Sequence, residues 1–384
     1  MTYDFDAEFD RRNTESIKWD QCADFGNADA LPMWVADMDF PTCDKVIKRM
    51  SDRVAHGAFG YTEIGDRDKA ALINWYKRRH GLEISGDDII FSPGVVDSIN
   101  HIIDVLFEKG SRVVIQTPVY GPFMNTPRSL GMEIVENPLK RSLSSWEMDF
   151  DDLEAKLSAG AEAMILCSPH NPIGRIWTAE EIKKVCELCE KYGVLLICDE
   201  IHCDFELDNI GKHKSILSLT NYDKVIQLVS ATKSFNLAAL RHSAILCRNA
   251  SIREKIAARM GKVNPEPNLF GVLATRAAYE EGDEWMNEIN AYLAKGRDIL
   301  EKGILETGKL VPTHTQGTYL MWVDCRALKL DNDALKEFFI KTVGIIPSEG
   351  AYFGSCGNGF VRLNFATRHA NIEEAVRRIQ KAVK

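Results

Sequence analysis

Residues 163–204 read AMILCSPHNPIGRIWTAEEIKKVCELCEKYGVLLICDEIHCD, and this stretch decides the fold class. Two short apolar segments, AMILC and VLLIC, flank a predicted helix whose start carries the capping box Thr178-x-x-Glu181. Strands without polar alternation are buried on both faces, as they are in a mostly parallel sheet covered by helices. The stretch therefore predicts an α/β protein.

The same alternation of strand, loop and helix extends in both directions. Upstream, IIF leads through the turn SPG into a predicted helix, and RVVIQ leads into the loop TPVYGPF. Downstream, KVIQLVS leads into Lys233. Ligands bind beyond the carboxyl ends of parallel strands. The predicted site therefore lies in the loops that follow Phe91, Gln116, Cys167, Cys198 and Ser230.

The C-terminal part of the chain has a different pattern. Helical stretches are predicted at 285–307 and 333–342, and the segments GTYLMWVDC and FVRLNFA have the pattern of strands. We interpret this part as a smaller α+β domain that the N-terminal segment completes. The predicted division is a large domain at 46–284 and a small domain made of 1–45 and 285–384.

The composition is that of an ordinary globular protein, with 384 residues, of which 45% are hydrophobic and 27% charged. A net charge of -9 disfavours nucleic-acid binding. The N-terminus MTYDFDAEFDRR lacks the pattern of a secretion signal and no stretch predicts a membrane span, so we expect a cytoplasmic protein. The ten cysteines are then expected to be reduced thiols, with Cys186 and Cys189 as structural residues of a helix.

Lys233 is the first candidate catalytic residue, because it follows an apolar strand directly in SATKSFN. Most loop lysines are solvated, but partial burial lowers the pKa of a lysine amine and makes it a nucleophile that can form a Schiff base. Asp199 ends the strand VLLIC, where a carboxylate needs a cationic partner such as a protonated pyridine nitrogen. A helix cap or an internal ion pair is the alternative interpretation of Asp199.

Two features together predict an anion site. The turn SPG precedes a helix, so the free N–H groups of Gly94, Val95 and Val96 would point at an anion. Arg241, eight residues beyond the candidate lysine, has the forked side chain that binds phosphate, and the hydroxyl of Ser230 is close in sequence. Taken alone, the turn is more typical of an ordinary strand–turn–helix connection, and Arg241 is more typical of a surface or salt-bridge arginine.

Three further side chains are candidate binding residues. Tyr120 lies in the turn TPVYGPF, where its ring could stack on a flat cofactor, and Asn171 offers an amide at the next strand end. An ordinary buried tyrosine and a turn asparagine are the alternatives. In GFVRLNFA, strand alternation places Arg362 on the face opposite Val361 and Leu363. Its guanidinium is predicted to bind a substrate carboxylate or to form a salt bridge between domains.

The cluster CDEIHCD contains residue types that also bind metals. One strand end cannot supply tetrahedral ligands without distant residues, so we predict no metal site. A nicotinamide dehydrogenase is disfavoured, because no G-x-G-x-x-G motif follows a strand.

A set of motifs spans nearly the whole chain, and they are LPMWVADMDF, HGAFGYT, SPGVV, TPVYGPF, SPHNPIGRIW, CDEIHCD, SATKSFNLAAL and GAYFGSCGNGFVRLNFAT. Together they resemble the fold-type I pyridoxal-phosphate enzymes of the aspartate aminotransferase superfamily. Within it they are similar to the cystathionine β-lyase or C–S lyase branch of the MalY and PatB type. The resemblance implies a large domain with a mostly parallel sheet covered by helices and a smaller α+β domain.

The resemblance also implies a pyridoxal 5'-phosphate cofactor held as a Schiff base on Lys233. Asp199 would contact the pyridine nitrogen, Tyr120 would stack on the ring, and Asn171 would bind the ring hydroxyl. The further cofactor residues, most of them around the phosphate, are Gly94, Val95, Val96, Ser230, Arg241 and His202. The residues implied for the substrate are Arg362, which binds its α-carboxylate, Asn171, Tyr120 and Trp34.

Three positions refine what the resemblance implies. Tyr61 in GYT matches a tyrosine that reaches the cofactor phosphate of the neighbouring subunit, so a homodimer is implied. His202 stands where much of the superfamily has a tyrosine, which suits the lyase branch and leaves the role of His202 open. Arg241 follows the broad aminotransferase pattern and supports the superfamily more than the branch.

The reaction that the resemblance implies is β-elimination from a small sulfur amino acid such as cystathionine or cysteine. It gives a thiol, pyruvate and ammonia, with Lys233 removing the α-proton. An aminotransferase begins in the same way, and the segment WVADMDF around Trp34 is the candidate for distinguishing the two. A regulatory protein-binding role, as some relatives of this branch have, is an alternative of another class.

Overall fold

The computed structural model describes residues 2–142, 145–208, 212–263 and 266–383. Within these ranges the strands are β1 (Leu31–Met33), β2 (Ile89–Ser92), β3 (Arg112–Ile115), β4 (Glu133–Glu136), β5 (Lys140–Arg141), β6 (Trp146–Glu147), β7 (Ala163–Cys167), β8 (Leu195–Asp199), β9 (Val225–Val229), β10 (Ser243–Leu246), β11 (Val311–Pro312), β12 (Leu320–Asp324), β13 (Ile345–Glu349) and β14 (Phe360–Asn364).

The α-helices of the same ranges are α1 (Ile17–Asp20), α2 (Asp44–His56), α3 (Asp66–His80), α4 (Val95–Leu106), α5 (Pro122–Ser129), α6 (Phe150–Ser158), α7 (Ala179–Tyr192), α8 (Ala231–Ser234), α9 (Ala250–Val263), α10 (Leu269–Glu281), α11 (Asp283–Leu305), α12 (Asn332–Glu337) and α13 (His369–Ala382). A π-helical segment, Phe338–Val343, continues α12. In the described ranges, no helix combines the length and the apolar character needed to cross a membrane.

The larger sheet has seven strands in the order β2-β10-β9-β8-β7-β3-β4. β10 runs antiparallel to β2 and β9, and all other neighbours pair in parallel. Along β7 and β8 the side chains alternate between two hydrophobic clusters: Leu166 and Leu196 belong to one, and Ile165 and Ile197 to the other. Both faces of the sheet are therefore buried, and the predicted mostly parallel sheet is confirmed.

The connection between β7 and β8 forms as the sequence predicts. The Thr178 side chain accepts a hydrogen bond from the Glu181 N–H, and the Glu181 carboxylate accepts one from the Thr178 N–H. This capping box starts α7, and Gly193 ends it in the left-handed conformation with φ of 70°. The turn at Gly193 leads the chain directly into β8.

The smaller sheet has five strands in the order β1-β13-β14-β12-β11. Strand β1, from the N-terminal part of the chain, pairs in parallel with β13. The other four strands of this sheet come from the C-terminal part of the chain. The predicted domain limits at 45/46 and 284/285 fall inside α2 and α11, and they stay predictions. After β1, the segment 34–40 passes from the smaller sheet to the larger one.

Candidate active site

A cavity of about 890 Å³ lies at the carboxyl ends of the parallel strands, facing the smaller sheet. The loops after β2, β3, β7, β8 and β9 all contribute to its wall, as the strand-end rule predicts. The predicted site residues that line it are Trp34, Gly94, Val95, Val96, Tyr120, Asn171, Asp199, His202, Lys233, Arg241 and Arg362.

Lys233 lies in the short helix α8, which begins directly after β9 with Ser230 as its N-cap. The Lys233 Nζ donates a hydrogen bond to the carbonyl oxygen of Ala36 at 2.7 Å. Burial lowers the pKa of the Lys233 amine to about 8. The amine is therefore deprotonated, and nucleophilic, at a lower pH than the amine of a solvated lysine.

Asp199 is the last residue of β8 and is almost fully buried. Its Oδ1 accepts a hydrogen bond from the backbone N–H of Ile201 at 2.9 Å. Burial raises the pKa of the Asp199 carboxyl to about 7, because one backbone donor does not replace the water that the charged form loses. A cationic group bound in the cavity would stabilise the ionised form.

His202 is buried in the turn that follows β8. Its Nδ1 has no hydrogen-bond partner within the described residues. Burial, together with the nearby cations Lys233 and Arg362, lowers the pKa of the imidazole to about 3. The ring is therefore neutral at physiological pH and presents an uncharged polar group to the cavity.

The N-terminus of α4 and Arg241 form the most polar end of the cavity. Gly94 is the N-cap of α4, and the first backbone hydrogen bond of the helix runs from the Ser98 N–H to the Gly94 carbonyl. The N–H groups of the first turn before Ser98 are thus free for an anion. The Arg241 guanidinium, which is 62% exposed, pairs with Asp97 at 2.8 Å beside them. A Cβ added at Gly94 would lie 2.8 Å from the Asp97 Oδ2, so a larger residue here would displace the Asp97 side chain that pairs with Arg241.

Ser230 does not line the cavity, although the sequence places it among the phosphate residues. Its hydroxyl donates to the His242 carbonyl at 2.7 Å and accepts from the Thr232 N–H at 3.1 Å, which caps α8. Thr232 lines the cavity instead, with its hydroxyl 2.7 Å from that of Ser230. Ser230 therefore contacts the cavity only through Thr232.

Arg362 projects from β14 into the cavity, on the face that strand alternation predicts. Its Nη1 donates to the Asn171 Oδ1 at 3.1 Å, and its Nη2 donates to the Trp34 carbonyl at 2.7 Å and the Ser348 hydroxyl at 2.8 Å. The guanidinium lies over the ring of Phe353 at 4.9 Å. Burial lowers its pKa to about 10, so the group stays cationic at neutral pH. The structure thus holds a buried, oriented cation in the wall.

Two tyrosines lie near each other on the cavity wall, Tyr120 from the loop after β3 and Tyr352 from the segment after β13. Their ring centroids are 6.5 Å apart in an edge-to-face arrangement. Burial raises the pKa of Tyr120 to about 12, so its hydroxyl stays protonated. Tyr120 therefore supplies a flat ring and a neutral donor.

Tyr61 lies outside the cavity and is 99% exposed. Phe59, two residues earlier, is also exposed, at 57%, and its ring lies 5.9 Å from that of Phe270. Within one chain, Tyr61 does not join the other predicted site residues.

Sequence reasoning missed residues that contribute to the site through their backbone or through one polar atom. Ala36 acts through its carbonyl oxygen, which accepts from both Lys233 and the Tyr319 hydroxyl. No side chain marks such a residue in a sequence. Tyr352 could have been found, since it is an aromatic residue in a glycine-rich segment directly after a strand.

Part of the CDEIHCD cluster joins a network outside the cavity. His80, Cys203 and Asp204 bring possible ligand atoms within 4.8 Å of one another. Asp204 already accepts hydrogen bonds from the Trp75 Nε1 at 3.0 Å, the His80 Nε2 at 2.8 Å and the Ser234 hydroxyl at 2.5 Å. These contacts describe a buried hydrogen-bond network behind α8, and the predicted absence of a metal stays a prediction.

Comparisons with known proteins cover the whole chain. Residues 29–379 match the profile of the aminotransferase class I and II family. Cystathionine beta-lyase PatB of Bacillus subtilis is 37% identical over 99% of this chain and 99% of its own. Protein MalY of Escherichia coli is 32% identical over 100% of this chain and 99% of its own.

A solved structure gives the same result. Cystalysin from Treponema denticola, which contains a pyridoxal 5'-phosphate cofactor, superposes with a TM-score of 0.96. The two sequences are 31% identical, and the superposition covers 100% of this chain and 99% of the cystalysin chain. The resemblance predicted from the motifs is confirmed, and the chain belongs to the class I and II aminotransferase family, within which it groups with PatB and MalY.

Proposed function

We propose that this protein is a pyridoxal-phosphate-dependent carbon–sulfur β-lyase. One observation carries the proposal: a single cavity joins the partly buried Lys233 amine, the buried Asp199 carboxylate and the buried Arg362 guanidinium. The full-length similarity to the cystathionine β-lyase PatB supports a lyase over other reactions of the family.

Three features of the cavity fit the cofactor. Burial raises the pKa of Asp199 to about 7, and a protonated pyridine nitrogen bound beside the carboxylate would stabilise its ionised form. The N-terminus of α4 and Arg241 suit a phosphate group. The lowered pKa of Lys233 suits an amine that reacts with an aldehyde. When bound, the cofactor supplies that aldehyde carbon and a ring that takes up the electron pair left at the substrate α-carbon.

The residues of the cavity have separate proposed roles in substrate binding, proton transfer and cofactor binding. Arg362 binds the substrate α-carboxylate together with Asn171, which removes rotational freedom from the substrate before the reaction. Lys233 would hold the cofactor, and its free Nζ would take the proton from the substrate α-carbon. Asp199 would keep the ring nitrogen protonated, and Tyr120 would supply a flat surface for the ring. With cystathionine and one water molecule, the products are homocysteine, pyruvate and ammonia.

The homodimer is part of the proposal. Tyr61 and Phe59 are large aromatic side chains that one chain leaves exposed, and contiguous exposed aromatic surface is typical of protein interfaces. In a homodimer, the Tyr61 hydroxyl would reach the phosphate end of the partner's cavity. We also propose that the protein acts in the cytoplasm, where its ten free cysteines would stay reduced.

The experiment supplies L-cystathionine to the cofactor-loaded protein and measures pyruvate and free thiol with and without an added keto acid. We expect equal amounts of pyruvate and thiol without the keto acid, and background amounts from Lys233→Ala. Activity that depends strictly on the keto acid, with no thiol released, would contradict the lyase proposal.

Aminotransferase activity is the second candidate, because the family profile that matches residues 29–379 is that of aminotransferases. The keto-acid arm of the same experiment measures it directly. Conversion of the keto acid into an amino acid, without thiol, would establish this alternative.

A further inference from the structure

Residues 34–40 form a strap between the two sheets, and side chains donate hydrogen bonds to most of its backbone carbonyl groups. Arg362 and Asn364 of β14 bind it from the smaller sheet, and Asn236, which follows α8, binds it from the larger one. The strap atoms that they bind are the N–H of Met38 and the carbonyl oxygens of Trp34, Val35, Asp37, Met38 and Phe40. The backbone of the strap is therefore fixed on both sides of Ala36.

The Ala36 carbonyl, at the centre of the strap, accepts two hydrogen bonds. Lys233 donates from its Nζ at 2.7 Å, and Tyr319 donates from its hydroxyl at 2.9 Å. A carbonyl oxygen has two lone pairs, so the two donors can bind at the same time. The strap thus links the lysine to a tyrosine of the smaller sheet.

Tyr319 is a rigid donor. It immediately precedes β12, has no exposed surface, and packs edge-to-face against Phe205 at 5.0 Å and His202 at 6.1 Å. Its backbone carbonyl accepts a hydrogen bond from the Phe365 N–H at 3.0 Å. Burial raises the pKa of the Tyr319 phenol, so the hydroxyl is protonated at neutral pH and donates a hydrogen bond.

We propose that Tyr319 is a positioning residue that holds the Ala36 carbonyl as the acceptor for the free Lys233 ammonium. This inference rests on the proposed function, in which Lys233 leaves the cofactor during turnover and carries a proton. While Lys233 holds the cofactor, its Nζ does not donate to the Ala36 carbonyl. The Tyr319 hydroxyl then remains as the hydrogen-bond donor to this buried carbonyl. When the lysine is released, its acceptor is already oriented and no rearrangement is required.

The proposal predicts the direction of a pKa change. The charged and titratable groups that face Lys233 are Asp37 of the strap, Asp199 of β8, Arg362 of β14 and His202. The hydrogen bond to Ala36 stabilises the ammonium form against the burial that disfavours it. Without the Tyr319 hydroxyl, the Ala36 peptide unit can rotate between its two anchored neighbours, so its carbonyl no longer points at Lys233 and the pKa of Lys233 falls.

The test compares Tyr319→Phe with Tyr222→Phe. The control loses the same kind of bond, because the Tyr222 hydroxyl donates to the Val194 carbonyl at 2.9 Å, away from the cavity. In the full-length chain freed of cofactor, trace labelling with acetic anhydride across pH 6 to 10, read on the Lys233 peptide by mass spectrometry, gives the pH midpoint of the amine. We expect the midpoint to fall by about half a unit or more in Tyr319→Phe, and to stay at the wild-type value in the control.

The cofactor-loaded enzyme gives the second readout. We expect kcat to fall about tenfold in Tyr319→Phe with KM within about twofold, since the substrate carboxylate is bound elsewhere. An unchanged or raised labelling midpoint, or an equal change in the control, would overturn the proposal. Labelling requires no turnover, so this outcome is distinct from a failure of the lyase assay.

A second variant covers the case in which Tyr319→Phe does not fold, as judged by its melting curve. Replacing Asp37 by the corresponding α-hydroxy acid converts the Ala36 carbonyl into an ester carbonyl, a weaker acceptor, and leaves all side chains in place. We expect the same fall in the Lys233 midpoint, and no fall would overturn the proposal.

Discussion

The substitution Asp199→Asn tests two effects of the Asp199 carboxylate separately. One is the folding stability lost when the charged group is buried, and the other is its role in binding the cofactor. The pKa of Asp199 is raised from 3.8 to about 7 in the folded chain. Between these values the folded state keeps a proton that the unfolded state has lost, so folding stability decreases as the pH rises through this window. The shift corresponds to about 4 kcal/mol of destabilisation, reached in full above pH 7.

Asparagine has no such titration, so the cofactor-free variant is expected to be more stable than the cofactor-free wild type. The difference in the free energy of unfolding should be about 4 kcal/mol at pH 8 and about 2 kcal/mol at pH 5. Urea unfolding followed by tryptophan fluorescence at the two pH values measures it. In the loaded enzyme the variant should lose kcat by about 100-fold, because a neutral amide does not keep the ring nitrogen protonated.

Glu200→Gln is the matched control from the same motif. Glu200 is also fully buried, but His213, Ser215, Gln227 and the Ile216 N–H all donate to its carboxylate. Its replacement should destabilise the chain at both pH values, because an amide cannot accept all of these bonds. The reasoning is refuted if Asp199→Asn destabilises the cofactor-free chain at pH 8, or if its effect is the same at both pH values.

Three further predictions concern the other proposed roles. Lys233→Ala should reduce pyruvate formation at least about 1000-fold while the melting temperature of the cofactor-free chain does not fall, and a lower melting temperature would indicate a structural role. Arg362→Lys should raise KM about tenfold or more, because an ammonium cannot fork onto a carboxylate, and an unchanged KM would place the carboxylate elsewhere. Tyr61→Phe should raise the cofactor concentration needed for half-maximal activity about tenfold. It should leave the circular dichroism of the cofactor-free chain unchanged, since the side chain is 99% exposed within one chain, and an unchanged cofactor requirement would exclude the proposed contact.

The fold and the convergence of the site could be predicted because both follow from short-range sequence patterns. Unbroken apolar strands such as AMILC require burial on both faces, and this fixes a parallel sheet whose carboxyl ends meet at one edge. Lys233, Asp199, Tyr120 and Asn171 each follow such a strand, and all four line one cavity. Alternation in FVRLNFA likewise predicted the direction of Arg362.

The remaining features depend on contacts between distant segments or, for Tyr61, on the proposed dimer. The Ala36 carbonyl has no sequence signature, and its donor Tyr319 lies 283 residues away from it in the sequence. Ser230 was expected at the phosphate because it is close to Lys233 in sequence, but the N-cap of α8 turns its hydroxyl toward the His242 carbonyl. The proposed partner of Tyr61 belongs to a second copy of the chain, so neither the sequence nor the fold of one chain supplies it.

The electrostatics of the cavity connect stability with cofactor binding. Burial moves the pKa of Asp199 up to about 7, that of Lys233 down to about 8 and that of Arg362 down to about 10, and each shift marks a group whose charge is poorly solvated. The proposed ligands carry the complementary groups: a pyridinium for Asp199, an aldehyde for Lys233 and a carboxylate for Arg362. Ligand binding therefore supplies partners for charges that the folded chain alone leaves poorly solvated. The cofactor should raise the free energy of unfolding by more than its buried contact area alone predicts.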